Sequence, residues 1–389
     1  MSTTIDTTAS TIVDAIPDRS MDTTTHATRQ ANLALARAAY RDIPVYAPHG
    51  PGENPPAVTI DASDNTNLWG PPPAAAQAIR DAAGDVVSRY PALYAHELKR
   101  LLAGYAGVRE EELITGCGSD DVLDSVMRAF GEPGTDAVAF PVPSFSMIPT
   151  FARMNVLRPV GVPLTGDWDA DADGLLATGA KIIYLCSPNN PTGTLTSEAA
   201  IRRVVAEAPG IVILDEAYAE FAGVTHVAEA PGWERVLVTR TLSKAFGLAG
   251  LRVGYGTGAA WLVREVEKAR GPYMVNAMAQ RAVEAALAHD VEWVQARARE
   301  AVEVRERFAR ALRGMGLDVL PSAANFVLAR TPRAREVAAA LQRQGILVRL
   351  FTGLPLVGDA LRIGVGPWEQ MEGILDAIRG ALSAIEAGK

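Results

Sequence analysis

Residues 241–256 read TLSKAFGLAGLRVGYG. The segment follows one short apolar run, RVLVT (235–239), and ends in another, LRVGY (251–255), so it reads as strand, polar turn, strand. Lys244 lies in the turn, with Thr241 and Ser243 before it, Gly247 and Gly250 after it, and Arg252 opening the next strand. The chain has five lysines against 32 arginines, so cationic positions elsewhere are mostly Arg. A lysine in this glycine-flanked setting has two readings. One is a solvated charge on a loop. The other is an amine, retained where imine chemistry needs a cation that can deprotonate, which arginine cannot do. Two hydroxyls and a guanidinium close by suit a phosphate monoester, because hydroxyls donate and Arg pairs bidentately.

Working outward, similar apolar runs occur at DAVAF (136–140), KIIYLC (181–186) and IVIL (211–214). Runs this short, separated by helical stretches, predict buried strands of a mainly parallel sheet. Helices are expected from residue 72, over 95–106, and over DDVLDSVMRAF, where Val122, Leu123, Val126, Met127 and Phe130 share a face. After about residue 272 the texture changes to a long helical stretch (276–313), then LDVLPS, ANFVLAR, a helix at TPRAREVAAALQRQG, ILVRLF, ALRIGVG and a terminal helix. The fold class is therefore α/β: a large domain with a mainly parallel mixed sheet flanked by helices, and a smaller α+β C-terminal domain. The expected divisions are a disordered tail and N-terminal arm at 1–45, with an Ala-rich helix over 28–41, a large domain at 46–290 and a small one at 291–389.

Three further segments offer chemistry. GCGSDD (116–121) places Gly118, Ser119 and Asp120 at the start of an amphipathic helix, where free amides attract phosphate; a plain N-cap by Ser119 is the competing reading. ILDEAYAEF (213–221) ends a strand in Asp215 and Tyr218, and the carboxyl ends of strands are where α/β sheets hold their ligands. SPNNPTGT (187–194) offers the Asn190 amide, or is simply a turn.

Other classes are disfavoured. A net charge of −8 argues against nucleic acid or an anionic membrane as the main partner. Cys117 and Cys186 form no CxxC pair and the five histidines lack metal-ligand spacing, so no metal site is expected. There is no GxxxxGK[ST] motif, no signal-peptide pattern and no membrane-length apolar run, which leaves a cytoplasmic enzyme as the expectation.

SPNNPTGT, LDEAY, TLSKAFGLAGLRVGY and ALRIGVG occur in the order found in the fold-type-I, class I/II aminotransferases, and the chain resembles that family over roughly residues 45–385. The resemblance implies pyridoxal 5′-phosphate as cofactor and a homodimer with active sites at its interface. It implies that Lys244 forms the Schiff base (internal aldimine), that Asp215 keeps the pyridine nitrogen protonated, and that Asn190 and Tyr218 bond the phenolic oxygen. Phe145 would stack on the ring. The Gly118–Asp120 turn, Thr241, Ser243 and Arg252 would hold the phosphate, Tyr90 would reach the phosphate of the neighbouring subunit, and Arg362 would clamp a substrate carboxylate.

Within that family the chain is most similar to the histidinol-phosphate aminotransferase subgroup, which implies amino transfer from an amino acid or amino-alcohol phosphate to 2-oxoglutarate. Tyr46, in VYAPHGPGE, and Arg349, thirteen residues before Arg362, match the subgroup's contacts to the anionic end of the substrate. Asn65 opens the segment Asn65-Thr66-Asn67-Leu68-Trp69-Gly70, which departs from the subgroup's Asn-Glu-Asn-Pro-Leu-Gly, and Ala92 departs from its Tyr-Pro-Asp. A Trp at this place suggests an aromatic donor as an alternative. A lyase such as a threonine-phosphate decarboxylase, and a non-catalytic regulatory domain, are the remaining rivals.

Overall fold

A computed structural model of the chain describes residues 34–41, 43–45, 57–82, 84 and 86–388. The chain divides into two units, Met1–Val45 and Tyr46–Lys389. In the first, the helical turn Ala38–Arg41 is closed by its own Arg41, whose guanidinium donates to the carbonyls of Ala34 and Ala36. The expected disordered tail and the start of the helix at 28 lie outside the described residues, as does Tyr46.

The second unit begins with a short strand, β1 (Ile60–Asp61), and is built on seven further strands. These are β2 (Leu113–Cys117), β3 (Ala137–Val142), β4 (Arg158–Pro163), β5 (Ile182–Cys186), β6 (Ile211–Asp215), β7 (Val236–Thr241) and β8 (Val253–Gly258). They form one sheet in the order β2-β8-β7-β6-β5-β3-β4. β8 runs antiparallel to both its neighbours and the other pairs are parallel, so the sheet is mixed and mainly parallel. Every residue of β5, β6 and β7 is buried, which is why β5 and most of β6 read as apolar runs, while β7 turns polar at Thr239 as it nears the site. Helix Gly118–Phe130 covers one face, packing Val122, Leu123, Val126 and Met127 against Ile182, Tyr184, Ile213 and Leu237.

Two strands of the large sheet escaped the sequence reading. β4 carries Pro159 and Pro163 and lies at the sheet's edge, where a missing N–H is tolerated. β2 is short and ends in Gly116 and Cys117.

A second sheet of four antiparallel strands follows: β9 (Asp318–Val319), β10 (Phe326–Arg330), β12 (Arg349–Leu354) and β13 (Gly358–Gly364), in the order β12-β13-β10-β9. β11 (Ile346–Leu347) pairs separately with β1. Helices Ala334–Arg343 and Trp368–Glu386 pack on this sheet through Val337, Leu341, Met371, Ile374 and Ile378. The helical stretch expected over 276–313 is two helices, Ala277–His289 and Val291–Gly314, separated at Asp290. Asp290 Oδ2 accepts the N–H groups of Ala74 (2.8 Å) and Ala75 (3.3 Å), capping helix Pro73–Ala82 instead of continuing its own. Among the described residues, no helix is long and apolar enough to cross a membrane, and no cluster of three or more His, Cys, Asp or Glu could hold a metal ion.

Candidate active site

The parallel strands of the large sheet end on the same side, and the segments that follow them converge. Ser119 and Asp120 follow β2, Ser144 to Met147 follow β3, Asn190 and Pro191 follow β5, Ala217 and Tyr218 follow β6, and Ser243 and Lys244 follow β7. Because β8 is antiparallel, the residue that precedes it, Arg252, arrives at the same end. Asp64 and Asn65 after β1, Arg349 and Phe351 of β12 and Arg362 of β13 close a cavity of about 430 Å³. Ligands of open α/β sheets bind at this end of the strands.

Lys244 Nζ donates to the carbonyl of Asp64 at 2.8 Å and stands 5.9 Å from the centre of the Tyr218 ring. Burial, helped by the nearby Arg362 guanidinium, pulls its amine down to about 8. A neutral amine is thus accessible near physiological pH, as a nucleophile or a proton carrier requires.

Asp215 ends β6 and is 4% exposed. Its Oδ2 accepts from the Tyr184 hydroxyl at 2.9 Å; its Oδ1 accepts from Thr239 Oγ1 at 3.1 Å and the Ala217 N–H at 3.2 Å. Burial pushes its carboxyl up to about 6 against these three donors. No ion pair among the described residues reaches it. A buried carboxylate at a cavity wall, held only by neutral donors, fits a ligand that brings its own cationic N–H.

The corner where helix Gly118–Phe130 begins is built by close packing. Helix Gly118–Phe130 starts one residue before Ser119, so Ser119 is not its N-cap; the Cys117 N–H is accepted instead by Asp121 Oδ2 at 3.0 Å. Gly118 has φ +79°, and a Cβ there would stand 2.6 Å from Arg252 Nη2. A Cβ on Gly254 would stand 2.2 Å from the Ser119 nitrogen. Two glycines therefore let the helix N-terminus, the Arg252 guanidinium and β8 share one corner. The first-turn amides, the Thr241 and Ser243 hydroxyls and Arg252 suit a phosphate there. Arg252 Nη2 meets Asp120 Oδ2 at 3.3 Å, and burial raises the Asp120 carboxyl.

Asn190 accepts from Arg362 Nη1 at 2.6 Å, and Arg362 Nη2 donates to the Ser63 carbonyl at 2.5 Å. Arg362 lies in register with Arg349 across β13 and β12. Asn65 Nδ2 donates to the Tyr218 hydroxyl at 3.1 Å, and burial raises that phenol. Asn65 is itself held by Asn325, whose Nδ2 donates to its carbonyl at 3.0 Å. Phe145 forms part of the wall.

Of the residues singled out in the sequence, Ser119, Asp120, Phe145, Asn190, Asp215, Tyr218, Thr241, Ser243, Lys244, Arg252, Asn65, Arg349 and Arg362 line this one cavity, with Gly118 directly behind Arg252. Tyr90 does not line it: it is 83% exposed and stacks on Tyr273 at 4.8 Å. Trp69 does not line it either. The Trp69 ring packs against the apolar clusters of both sheets, and its Nε1 donates to Glu300 at 3.0 Å, so the aromatic-donor reading loses its residue. Sequence reasoning missed Asp64, Phe351 and, beneath Asp215, Tyr184 and Thr239. A tyrosine inside KIIYLC is indistinguishable from core until its hydroxyl is traced.

Comparison with known proteins agrees with this geometry. A family model described as aminotransferase class I and II matches residues 58–378. A histidinol-phosphate aminotransferase of Methylibium petroleiphilum is 40% identical over 341 residues, covering 84% of this chain and 90% of the relative. One of Roseiflexus castenholzii is 38% identical over 336 residues, covering 83% and 89%. The crystal structure of histidinol-phosphate aminotransferase from Sinorhizobium meliloti in complex with pyridoxal-5′-phosphate superposes with a TM-score of 0.76 at 29% identity, covering 85% of this chain and 92% of that one.

Proposed function

Since this chain belongs to the aminotransferase class I and II family and is a pyridoxal-phosphate-dependent aminotransferase, we propose that it moves an amino group from histidinol phosphate, or a closely similar amino-alcohol phosphate, to 2-oxoglutarate. The observation that carries the reading is the convergence of Lys244, Asp215, Arg252 and Arg362 in one cavity. The cavity fits the cofactor: a buried carboxylate awaits a ring N–H, and a glycine-lined helix start awaits a phosphate.

When bound, pyridoxal phosphate supplies an electron sink for charge developing at the Cα of an attached amine. The chain's own residues do the rest. Lys244 would hold the cofactor through Nζ, and its amine, when free, would carry a proton between Cα and the position one further on. Asp215 accepts the ring N–H and keeps that nitrogen protonated. Asn190 and Tyr218 bond the phenolic oxygen, and Phe145 covers the ring. The Gly118–Asp120 turn, Thr241, Ser243 and Arg252 hold the phosphate. Arg362, braced by Ser63 and Asn190, pairs with the carboxylate of the 2-oxo acid, and Arg349 with Tyr46 takes the substrate's other anionic end.

We read residues 46–290 as the lobe that holds the cofactor and 291–389 as the lobe that supplies the two arginines. The functional unit is a homodimer in which Tyr90 serves the partner's phosphate; its outward placement supports that role. No observation favours the lyase, because the relatives at 38–40% identity are named aminotransferases.

A half-reaction tests the proposal. Holoenzyme mixed with histidinol phosphate alone should convert its cofactor stoichiometrically to pyridoxamine phosphate, and 2-oxoglutarate should reverse the change. Conversion by aromatic amino acids but not by histidinol phosphate would reject the donor. Release of carbon dioxide from a donor, with no 2-oxo acid requirement, would reject amino transfer.

A further inference from the structure

Two hydroxyl groups beneath the cavity have no place in the chemistry above, yet both end on its central carboxylate. Asp215 closes β6, and the strands on either side each contribute one donor. Tyr184 comes from β5 and reaches Oδ2 at 2.9 Å; Thr239 comes from β7, in register with Asp215, and reaches Oδ1 at 3.1 Å. Both donors are wholly buried, at 0% exposure. The Tyr184 ring packs with Ile182, Ile213 and Leu237, a setting that phenylalanine would fill equally well. A buried hydroxyl costs free energy unless it is bonded, and both of these spend their bond on the same carboxylate, the buried one at the cavity wall.

The type of donor matters. An arginine or lysine in either place would hold Asp215 by cancelling its charge, leaving a weak acceptor for a protonated ring nitrogen. Neutral hydroxyls stabilise the anion and leave its charge uncompensated. They also approach from two sides, which fixes the plane of the carboxylate. Burial acts in the opposite direction, raising the carboxyl, and the two hydroxyls oppose it.

We propose that Tyr184 and Thr239 are positioning residues, a pair of neutral donors from the strands flanking β6 that keep the Asp215 carboxylate ionised and aimed at the ring nitrogen of the cofactor. This rests on the assignment of Asp215 to that nitrogen.

The test compares pyridoxal phosphate with its 1-deaza analogue, in which carbon replaces the ring nitrogen. Equilibrium dissociation of each from the parent enzyme, Tyr184→Phe and Thr239→Val is followed by absorbance. The parent should prefer pyridoxal phosphate. Each variant should bind pyridoxal phosphate about 3–10-fold more weakly, the worth of one ordinary hydrogen bond, since the loss reaches the cofactor only through Asp215. Binding of the deaza analogue should be unchanged, so that the preference shrinks. Equal weakening for both cofactors would show a merely structural role and overturn the proposal, as would a preference that survives intact in the variants. A parent enzyme with no preference would overturn the Asp215 assignment itself, and the hydroxyl pair with it. Two variants on different strands keep the test decisive if one does not fold.

Discussion

Arg349 and Arg362 lie directly opposite one another on adjacent antiparallel strands, β12 and β13, and both line the cavity that contains Lys244. Like charges in such a pair repel unless something offsets them. Arg362 is nearly buried and braced by the Ser63 carbonyl and the Asn190 amide oxygen, whereas Arg349 sits further out. The arrangement sets two guanidinium side chains on adjacent strands of the cavity wall, one braced and one further out.

The two arginines should therefore fail differently. Arg362→Ala should lower kcat/KM chiefly for the 2-oxo acid, whose carboxylate it pairs with, by roughly 10–100-fold, the range of a charge-assisted bond or two. Arg349→Ala should chiefly erase the preference for histidinol phosphate over histidinol. Steady-state kinetics with the two donors measures this directly. An Arg349→Ala enzyme that keeps the full preference would remove Arg349 from the phosphate site.

Lys244 allows a prediction about stability as well as turnover. Its amine falls from an ordinary 10.5 to about 8 in the folded chain, chiefly through burial. The folded value lies below the unfolded one, so folding at neutral pH must strip or bury a proton. The penalty is present in full below pH 8 and fades as pH rises through the ordinary lysine value. Cofactor-free Lys244→Met protein should thus melt a few degrees above the parent at pH 7, corresponding to about 1–2 kcal/mol after discounting for the amine's partial exposure. The gap should close towards pH 10.5, and turnover should be absent throughout. A gap that does not change with pH would mean that the amine is not desolvated.

How far the sequence carried this picture depends on where each residue's role is decided. β5 and β6 are buried on both faces, and Lys244 lies in a turn whose neighbours already declare a phosphate; these are local properties, visible in a short window. The break between helices at Asp290 is not local. It exists because the Asp290 carboxylate is taken by the Ala74 and Ala75 amides more than 200 residues away. Trp69 misled for the same reason. Asp64 and Asn65, a few residues before it, line the cavity, but its own ring is claimed by the two apolar clusters and Glu300. Tyr184 was hidden because a core tyrosine and a carboxylate-holding tyrosine share one apolar sequence context.

His226 gives a pH dependence of opposite sign. Its Nδ1 lies 3.0 Å from Glu216 and its Nε2 lies 2.8 Å from Glu198, and the Glu216 bond chiefly raises it to about 9. The folded value exceeds the unfolded one near 6.5, so this contribution is complete below pH 6.5 and is lost as pH rises through 9. It is worth on the order of 2 kcal/mol. The parent's melting temperature should decline between pH 6.5 and 9 more steeply than that of His226→Gln, which has no proton to lose. Parallel pH profiles for the two proteins would refute the charged state of His226.

The glycines behind the phosphate corner provide the sharpest steric test. A Cβ on Gly254 would stand 2.2 Å from the Ser119 nitrogen and 2.4 Å from the Gly118 carbonyl carbon, both backbone atoms that cannot swing aside. Gly254→Ala must push the start of helix Gly118–Phe130 off β8, at a cost of about 1–3 kcal/mol. It should also weaken pyridoxal phosphate binding at least about tenfold, because the first-turn amides and Arg252 would no longer converge. Gly380, exposed on the C-terminal helix where an added methyl would meet open space, is the control: Gly380→Ala should leave cofactor binding alone and raise stability by about 0.5–1 kcal/mol. Cofactor titration and thermal melts on both variants settle the matter. If Gly254→Ala melts lower but binds pyridoxal phosphate as the parent does, the phosphate does not sit at this helix.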